Sequence, residues 1–176
     1  MLKKPVIIIL TCFWFISASA QLDTFFVKQN IHRCADSLAH AFKTKNWDLF
    51  TTYSYPALIG SLGGVQKFKE YIQETLSAAP DSAWKQYEPG KILQIVKTAK
   101  DIQTVIELHT RIAMDSMQIS TTTYLVGESW NGGQHWTFFD SRGDRSIALT
   151  VKPDLSPELV IPSRKEKLEP FRPEDQ

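Results

Sequence analysis

Glu107, His109 and Arg111 are the residues of this sequence whose types and spacing come closest to an acid–base site. They alternate along an apolar-rich stretch, and a period of two places all three on one face of a β-strand. If Asp115-Ser116 forms a two-residue turn, the next strand sets Tyr124 opposite Glu107. A carboxylate, an imidazole and a phenol within reach of one another predict general acid–base catalysis of a small molecule, such as isomerisation, dehydration or hydrolysis.

The other face of the same two strands supports a different interpretation. That face carries isoleucines and leucines, so it is the face expected beneath covering helices, and the Glu107–His109–Arg111 face then points to solvent or to a second copy of the chain. We favour this orientation; a homodimer through the polar face of the sheet is one alternative that it allows. The polar lining of any pocket then comes from the apolar face and from one helix, through Thr110, Thr121, Thr123 and Tyr53.

A second motif lies in residues 128–140, which read "ESWNGGQHWTFFD". The pattern resembles the Asp-box hairpin of sialidase-type β-propellers. It occurs once in a chain far too short for several four-stranded blades, which excludes a propeller. The requirements of a tight turn explain these residue types. The side chains of Ser129 and Asn131 can accept hydrogen bonds from backbone N–H groups of the turn, the two glycines can take positive φ, and Trp136 can pack over the turn. We therefore predict a structural hairpin, with a sugar platform of Trp130 and Trp136 as the alternative.

The N-terminus has the pattern of a signal peptide. Lys3 and Lys4 precede a short apolar run and a small-residue site, which assigns residues 1–20 to a leader cleaved before Gln21 and predicts a periplasmic or secreted protein. The apolar run is too short to span a membrane. Without the leader, basic residues fall from 20 to 18 against 19 acidic ones, so charge gives no reason to expect nucleic-acid binding. Cys34 is the cysteine that remains, and no internal disulfide is expected.

The order of elements along the chain predicts an α+β fold in one domain. Helical periodicity covers residues 24–44, a short turn around Trp47 to Tyr53, and a helix from Val65 that ends before Pro80. Four stretches rich in β-branched and aromatic residues follow, at 91–98, 102–113, 117–129 and 135–140. Residues 141–151 fit either a strand or a short helix capped by Asp144. We place one domain at residues 21–162 and a disordered polar tail at 163–176.

This order, helices followed by a curved antiparallel sheet of about four to five strands, resembles the nuclear transport factor two-like superfamily, a cone of cystatin-like α+β type. The likeness is carried by "KNWDLFTTYSYPALIGSLGG", with Trp47, Asp48, Tyr53 and Pro56 in the superfamily's helix–Pro–Gly-Gly–helix segment, and by the ending "WTFFD…LSPELVIP". It implies a sheet wrapped around the first helix and a pocket at the open end of the cone. It does not imply one activity, because this fold hosts isomerases, dehydratases and many non-catalytic domains.

The function favoured by these observations is non-catalytic: binding of a small apolar ligand, or an interaction module. An acid–base enzyme using His109, Glu107 and Tyr124 is the alternative, and a homodimeric structural module is the third reading. No motif predicts a cofactor, and His32 and His40 have no partner at a metal-ligand spacing, so no metal site is predicted.

Overall fold

The computed structural model describes residues 23–77, 79–114 and 116–170, as one α+β domain. The predicted leader, its cleavage site before Gln21 and the last six residues of the predicted tail lie outside these ranges. Within them the helices are α1 Thr24–Lys43, α2 Trp47–Tyr53, α3 Pro56–Ser61, α4 Val65–Ser77 and α5 Arg145–Val151. The strands are β1 Trp84–Lys97, β2 Ile102–Met114, β3 Met117–Ser129, β4 Thr137–Asp140 and β5 Lys165–Pro170, and a single 3-10 turn, Asp81–Ala83, precedes β1.

Capping side chains fix where the helices begin. Asp23 accepts from the backbone N–H groups of the first turn of α1, and Asn46 accepts from Leu49 N at the start of α2. Pro56 occupies the first turn of α3, where its missing N–H costs nothing. Asp144 caps α5. Of the two predictions for residues 141–151, the short helix is therefore the correct one.

The sheet is antiparallel, with strands in the order β1-β2-β3-β4 and with β5 also paired to β3. The predicted register of β2 and β3 is confirmed: Glu107 pairs with Tyr124 and His109 pairs with Thr122. β4 and β5 lie end to end along the same edge of β3, at Leu125–Glu128 and at Met117–Thr122 respectively. The α+β prediction, with helices packed on a curved antiparallel sheet, is therefore confirmed.

Apolar side chains are buried on both faces of the sheet. On the inner face, α1 packs against the sheet through Val27, Ile31, Cys34 and Leu38, all nearly inaccessible, as its periodicity predicts. On the outer face, α5 and the segment after it cover a second cluster: Tyr55, Val96, Val105, Tyr124, Val126, Phe139, Ala148, Leu155 and Leu159. The prediction of a wholly polar outer face is wrong for this half of the sheet, because a C-terminal layer covers it.

The predicted disordered tail is also wrong for six of its residues. Lys165–Pro170 form β5, which pairs with the first half of β3 from Met117 to Thr122. The segment is polar because most of its side chains face solvent, not because it lacks structure; Leu168, for example, is 60% exposed. Its backbone groups are satisfied by the edge of β3, which would otherwise remain unpaired.

Candidate functional site

A cavity of about 400 Å³ lies between the helices and the sheet, within the range typical of small-molecule pockets. All five helices contribute to its wall, together with β1, β3 and β4. The lining is mainly aliphatic and aromatic, and it includes side chains that helical periodicity aims at the sheet, such as Leu38 and Phe42 of α1 and Phe68 of α4. The cavity is therefore an extension of the inner core that side chains do not fill.

Stacked aromatic rings hold the walls of the cavity in place. The ring of Phe42 lies parallel to that of Tyr87, with centroids 3.8 Å apart and planes 12° apart. Phe50 and Phe68 stack at 6.2 Å with planes 14° apart. Such pairs add to the area that each ring buries, so the orientation of Tyr87 in particular is fixed by packing.

Asp140 places a carboxyl group in this apolar wall. Its Oδ1 accepts from the backbone N–H of Arg142 at 2.7 Å, and its Oδ2 accepts from the Thr123 hydroxyl at 3.2 Å. Asp140 lines the cavity and keeps water-accessible surface. The surrounding protein atoms raise the pKa of the Asp140 carboxyl, against the opposing effect of these hydrogen bonds and of Arg142 and Arg164.

Tyr87 lines the same cavity. Burial raises the pKa of this phenol strongly, and the negative charge of Asp140 raises it further, so Tyr87 stays neutral. Among the described residues the hydroxyl has no hydrogen-bond partner. A neutral phenol is both a donor and an acceptor, so one end of the apolar cavity offers two polar groups, Tyr87 and Asp140, to whatever occupies it.

The turn after β4 positions Arg142, the third polar residue of the cavity wall. Arg142 and Gly143 both take left-handed backbone conformations, with φ of 54° and 70°. A Cβ at Gly143 would meet the backbone N of Arg164 at 2.3 Å, so a glycine is required there. This turn brings Arg142 N–H onto Asp140 and leaves the guanidinium exposed at the rim of the cavity.

A separate polar constellation lies on the outer face, around Lys152. This side chain is 0% exposed, and its Nζ lies 2.9 Å from Asp101 Oδ2, 2.9 Å from Asp154 Oδ1 and in contact with Glu128 Oε1. Trp130 Nε1 donates to Glu128 Oε2 at 2.6 Å, and the ammonium sits 5.8 Å from the centre of the Tyr55 ring. The cluster ties the C-terminal layer to the ends of β2 and β3.

Burial and the contacts within the cluster shift the pKa values of Glu128, Asp101 and Lys152 in opposite directions. Burial, together with the hydrogen bond to Asp101, raises the pKa of the Glu128 carboxyl to about 7, although Lys152 pulls it down. Burial acts on Asp101 as well, but hydrogen bonds from Glu128, Thr98 and Lys152 outweigh it and lower the pKa of Asp101. Burial opposes the charge of Lys152, yet its carboxylate partners hold its pKa above the ordinary value. Lys152 is sealed from solvent, so we assign this cluster a structural role.

The predicted acid–base residues lie elsewhere. Glu107 and His109 are on the outer face, with His109 Nε2 3.4 Å from Glu107 Oε2 and His109 Nδ1 3.2 Å from Thr122 Oγ1. The His109 side chain is 37% exposed and borders an open depression beside β5, not the cavity between the helices and the sheet. Tyr124 is on the same face but is 1% exposed, buried beneath the C-terminal layer. The structure therefore does not bring Tyr124 and His109 together in a shared pocket.

The predicted pocket residues are divided between two places. Thr123 reaches the cavity indirectly, through its hydrogen bond to Asp140. Thr110 and Thr121 pair with each other nearer the open end of the sheet and line the outer depression. The ring of Tyr53 lies 5.4 Å from that of His135 and is absent from the cavity wall, because the end of α2 points it towards the β3–β4 connection.

The hairpin at residues 128–140 has the predicted turn chemistry. Ser129 Oγ accepts from Gly133 N at 3.0 Å, and Asn131 Oδ1 accepts from His135 N at 3.0 Å. Trp136 is fully buried and donates from Nε1 to Gly133 O at 3.1 Å. Trp130, by contrast, is 63% exposed, so the two tryptophans do not form a joint platform for a sugar.

Sequence reasoning missed Tyr87, Asp140, Arg142 and the Lys152 cluster. Tyr87 was missed because Pro89-Gly90 predicts a break, whereas β1 runs through both residues with irregular pairing between Pro89 and Ile92. Asp140 has a signal that was available: it ends an apolar strand whose other residues alternate between two buried faces. Nothing in the sequence around Lys152 indicates its burial, since a lysine after a short helix ordinarily faces solvent.

Comparisons of the chain with protein families, curated proteins and solved structures gave no match. The described helices include none that is long and apolar enough to cross a membrane. Across the described residues, no group of three or more His, Cys, Asp or Glu side chains is placed to hold a metal ion.

Proposed function

We propose that this protein binds a small, largely apolar ligand in the cavity between its helices and its sheet. The observation that carries the proposal is the cavity of about 400 Å³, whose apolar wall is interrupted at one end by Tyr87 and Asp140. The apolar wall would supply affinity through burial, at roughly 25 cal/mol per Å² of apolar surface. The two polar groups would orient the ligand.

Non-catalytic binding is preferred to acid–base catalysis because of where the ionisable groups lie. An acid–base site needs its groups in an enclosed place, within hydrogen-bond reach of one bound substrate. His109 and Glu107 lie beside an open depression on the other face of the sheet. The enzyme hypothesis that used them therefore has no enclosed site.

We also propose that the protein is exported and is a distant member of the nuclear transport factor two-like superfamily. Export rests on the leader-like pattern of residues 1–20. The superfamily proposal is supported by the helix–Pro–Gly-Gly–helix segment, which forms α2, α3 and α4, and by the order of helices before a four-stranded antiparallel meander. A cavity between the first helix and the sheet agrees with it.

Filling the cavity tests the proposed function. The probe is naphthylmethanol, an apolar ring system with one hydroxyl, and its binding to residues 21–176 is measured by isothermal titration calorimetry. Ile147 of α5 lines the cavity, so Ile147→Trp is expected to reduce affinity at least about tenfold by occupying the space, while the thermal melt confirms that the variant folds.

The matched control lies on the same helix. Leu149 is 38% exposed and does not line the cavity, so Leu149→Trp adds the same side chain and is expected to leave affinity unchanged. Equal affinity of Ile147→Trp and the unchanged chain would contradict the proposal, as would complete absence of probe binding.

A further inference from the structure

Asp140 is a carboxylate that faces the cavity without an ion-pair partner among the described residues. Both of its oxygens are hydrogen-bonded, to the Thr123 hydroxyl at 3.2 Å and to Arg142 N–H at 2.7 Å, so its position is fixed. Neither donor carries a full charge. A carboxylate held in this way in an apolar wall is a ready partner for a cation in the cavity, because a hydrogen bond between charged groups is stronger than one between neutral groups.

Tyr87 supplies a second acceptor beside this carboxylate. Its ring is held against Phe42 at 3.8 Å, and Tyr87 and Asp140 line the same cavity. An ammonium group has only donors, so it can satisfy the carboxylate and the phenol oxygen together. A carboxylate ligand has only acceptors and would meet the like charge of Asp140.

The aromatic wall favours the same charge. Besides Tyr87, the cavity is lined by Phe42, Phe50, Phe68, Tyr71 and Phe138. The faces of aromatic rings attract cations, most strongly where water is excluded. The opposing groups are Arg142 and Arg164, whose positive charges both act on Asp140. Both residues are exposed and Arg164 is paired with Glu166, so solvent and that carboxylate screen them.

We infer that the ligand class of this cavity is amphipathic amines: an apolar body carrying one ammonium group that lies between Asp140 and Tyr87. This inference rests on the proposed function, since it assigns the ligand chemistry of the same cavity. The body occupies the space between α4 and α5, and the ammonium donates to the Asp140 carboxylate and to the Tyr87 oxygen.

The experiment compares three probes that share one ring system: naphthylmethylamine, naphthylmethanol and naphthoate. Each is titrated into residues 21–176 at pH 7 by calorimetry. The amine is expected to bind at least about tenfold more tightly than the alcohol, and naphthoate most weakly, because a hydrogen bond to a charged group is stronger than one between neutral groups.

Asp140→Asn keeps the shape of the side chain and removes its charge, so it is expected to abolish the preference for the amine, measured as the ratio of the affinities for naphthylmethylamine and naphthylmethanol. Tyr87→Phe keeps the stack on Phe42 and is expected to weaken amine binding less, about three- to tenfold. Asp36→Asn, which removes an exposed carboxylate of α1, is the control and should change nothing.

The outcomes separate this inference from the proposed function. If naphthylmethanol binds, Ile147→Trp blocks it and the amine gains nothing, the cavity is a ligand site but the amine assignment is wrong. Preference for naphthoate, lost in Arg142→Gln, would also overturn the assignment. If none of the three probes binds, both proposals fail.

Discussion

Lys152 and Glu128 show how a few buried polar groups join two layers of this protein. The ammonium of Lys152 contacts three carboxylates, one from the β1–β2 connection, one from β3 and one from its own segment. Gln103 extends the cluster, accepting from Ser156 N at 2.8 Å and donating to Asp101. Every charged member of the cluster has a partner. The cluster therefore holds the C-terminal layer in one position over the sheet.

At the residue scale, Glu128 makes stability depend on pH. Its pKa of about 7 lies above the ordinary 4.5, so the folded state holds a proton there that the unfolded state releases. The stabilisation of the folded state that comes from this raised pKa is complete below pH 4.5 and is lost as the pH rises through 7. Asp101, whose pKa is lowered, acts in the opposite sense, and its contribution is lost only in more acidic solution.

Glu128→Gln is therefore expected to flatten the fall of unfolding free energy between pH 5 and pH 8, a fall on the order of 2–3 kcal/mol in the unchanged chain. Urea denaturation at several pH values measures it. The other titrating neighbours, Asp101, Asp154 and Lys152, remain in place in this variant. Glu158→Gln, on the exposed surface of the same C-terminal segment, is the control. An identical pH slope in Glu128→Gln and the unchanged chain would contradict the assignment.

At the scale of elements, two glycines of the chain are expected to respond in opposite directions to the same substitution. A Cβ at Gly127 in β3 would meet Phe138 Cε1 at 2.6 Å and Thr104 Cγ2 at 2.7 Å. Gly60 in α3 has nothing within 4 Å of its Cβ position. Gly127 is thus a site of close packing, whereas Gly60 is an open helical position.

Gly127→Ala is expected to destabilise the fold by about 1–3 kcal/mol through overpacking. Gly60→Ala is expected to stabilise it by up to about 1 kcal/mol, because alanine loses less backbone entropy in a helix. Thermal and urea unfolding of the two variants measure both. A stability gain in Gly127→Ala would show that β3 and β4 are more loosely packed than the structure indicates.

The elements themselves were largely predictable, because their signals are local. The period of α1, its apolar stripe through Ile31 and Leu38, and the register around the Asp115-Ser116 turn all follow from short-range pattern. Two elements were not predictable in this way. β5 is polar and is held by the edge of β3, and the first half of β1 crosses Pro89-Gly90, so both depend on partners distant in sequence.

The site was less predictable than the fold. The sequence predicts an acid–base site at His109 and Glu107 because their side chains are of the types that transfer protons. It carries no local signal for which part of the sheet the C-terminal layer covers. Asp140 and Tyr87 share a cavity only because β4 and β1, three elements apart along the chain, both border it. Such convergence depends on the tertiary fold and leaves no spacing signal in the chain.

At the scale of the whole molecule, the uncovered half of the outer face is where the predicted homodimer would form. This half holds His109, Arg111 and the exposed side of β5, while α5 and its following segment cover the other half. Arg111 is exposed there, and reversing its charge would place a carboxylate at the centre of the interface.

Arg111→Glu is expected to convert the predicted dimer to a monomer with an unchanged thermal melt, since an exposed charge contributes little to the fold. Sedimentation equilibrium measures the mass. Arg33→Glu, on α1 and away from the sheet, is the control and should leave the mass as it is. A monomer in the unchanged chain, or a dimer that survives Arg111→Glu, would contradict association through this face.

The unequal anchoring of the cavity wall has a kinetic consequence. α5 contributes Ile147 and Val151 to that wall, and the next residue is Lys152, so moving α5 outward would break buried ion pairs. The α3–α4 side of the wall has no buried ion pair among the described residues: α3 contains no buried residue, and it joins α4 through Gly63-Gly64, both at positive φ. We therefore expect ligands to enter and leave past α3 and α4, so that stiffening this glycine junction slows exchange in both directions and leaves equilibrium affinity nearly unchanged.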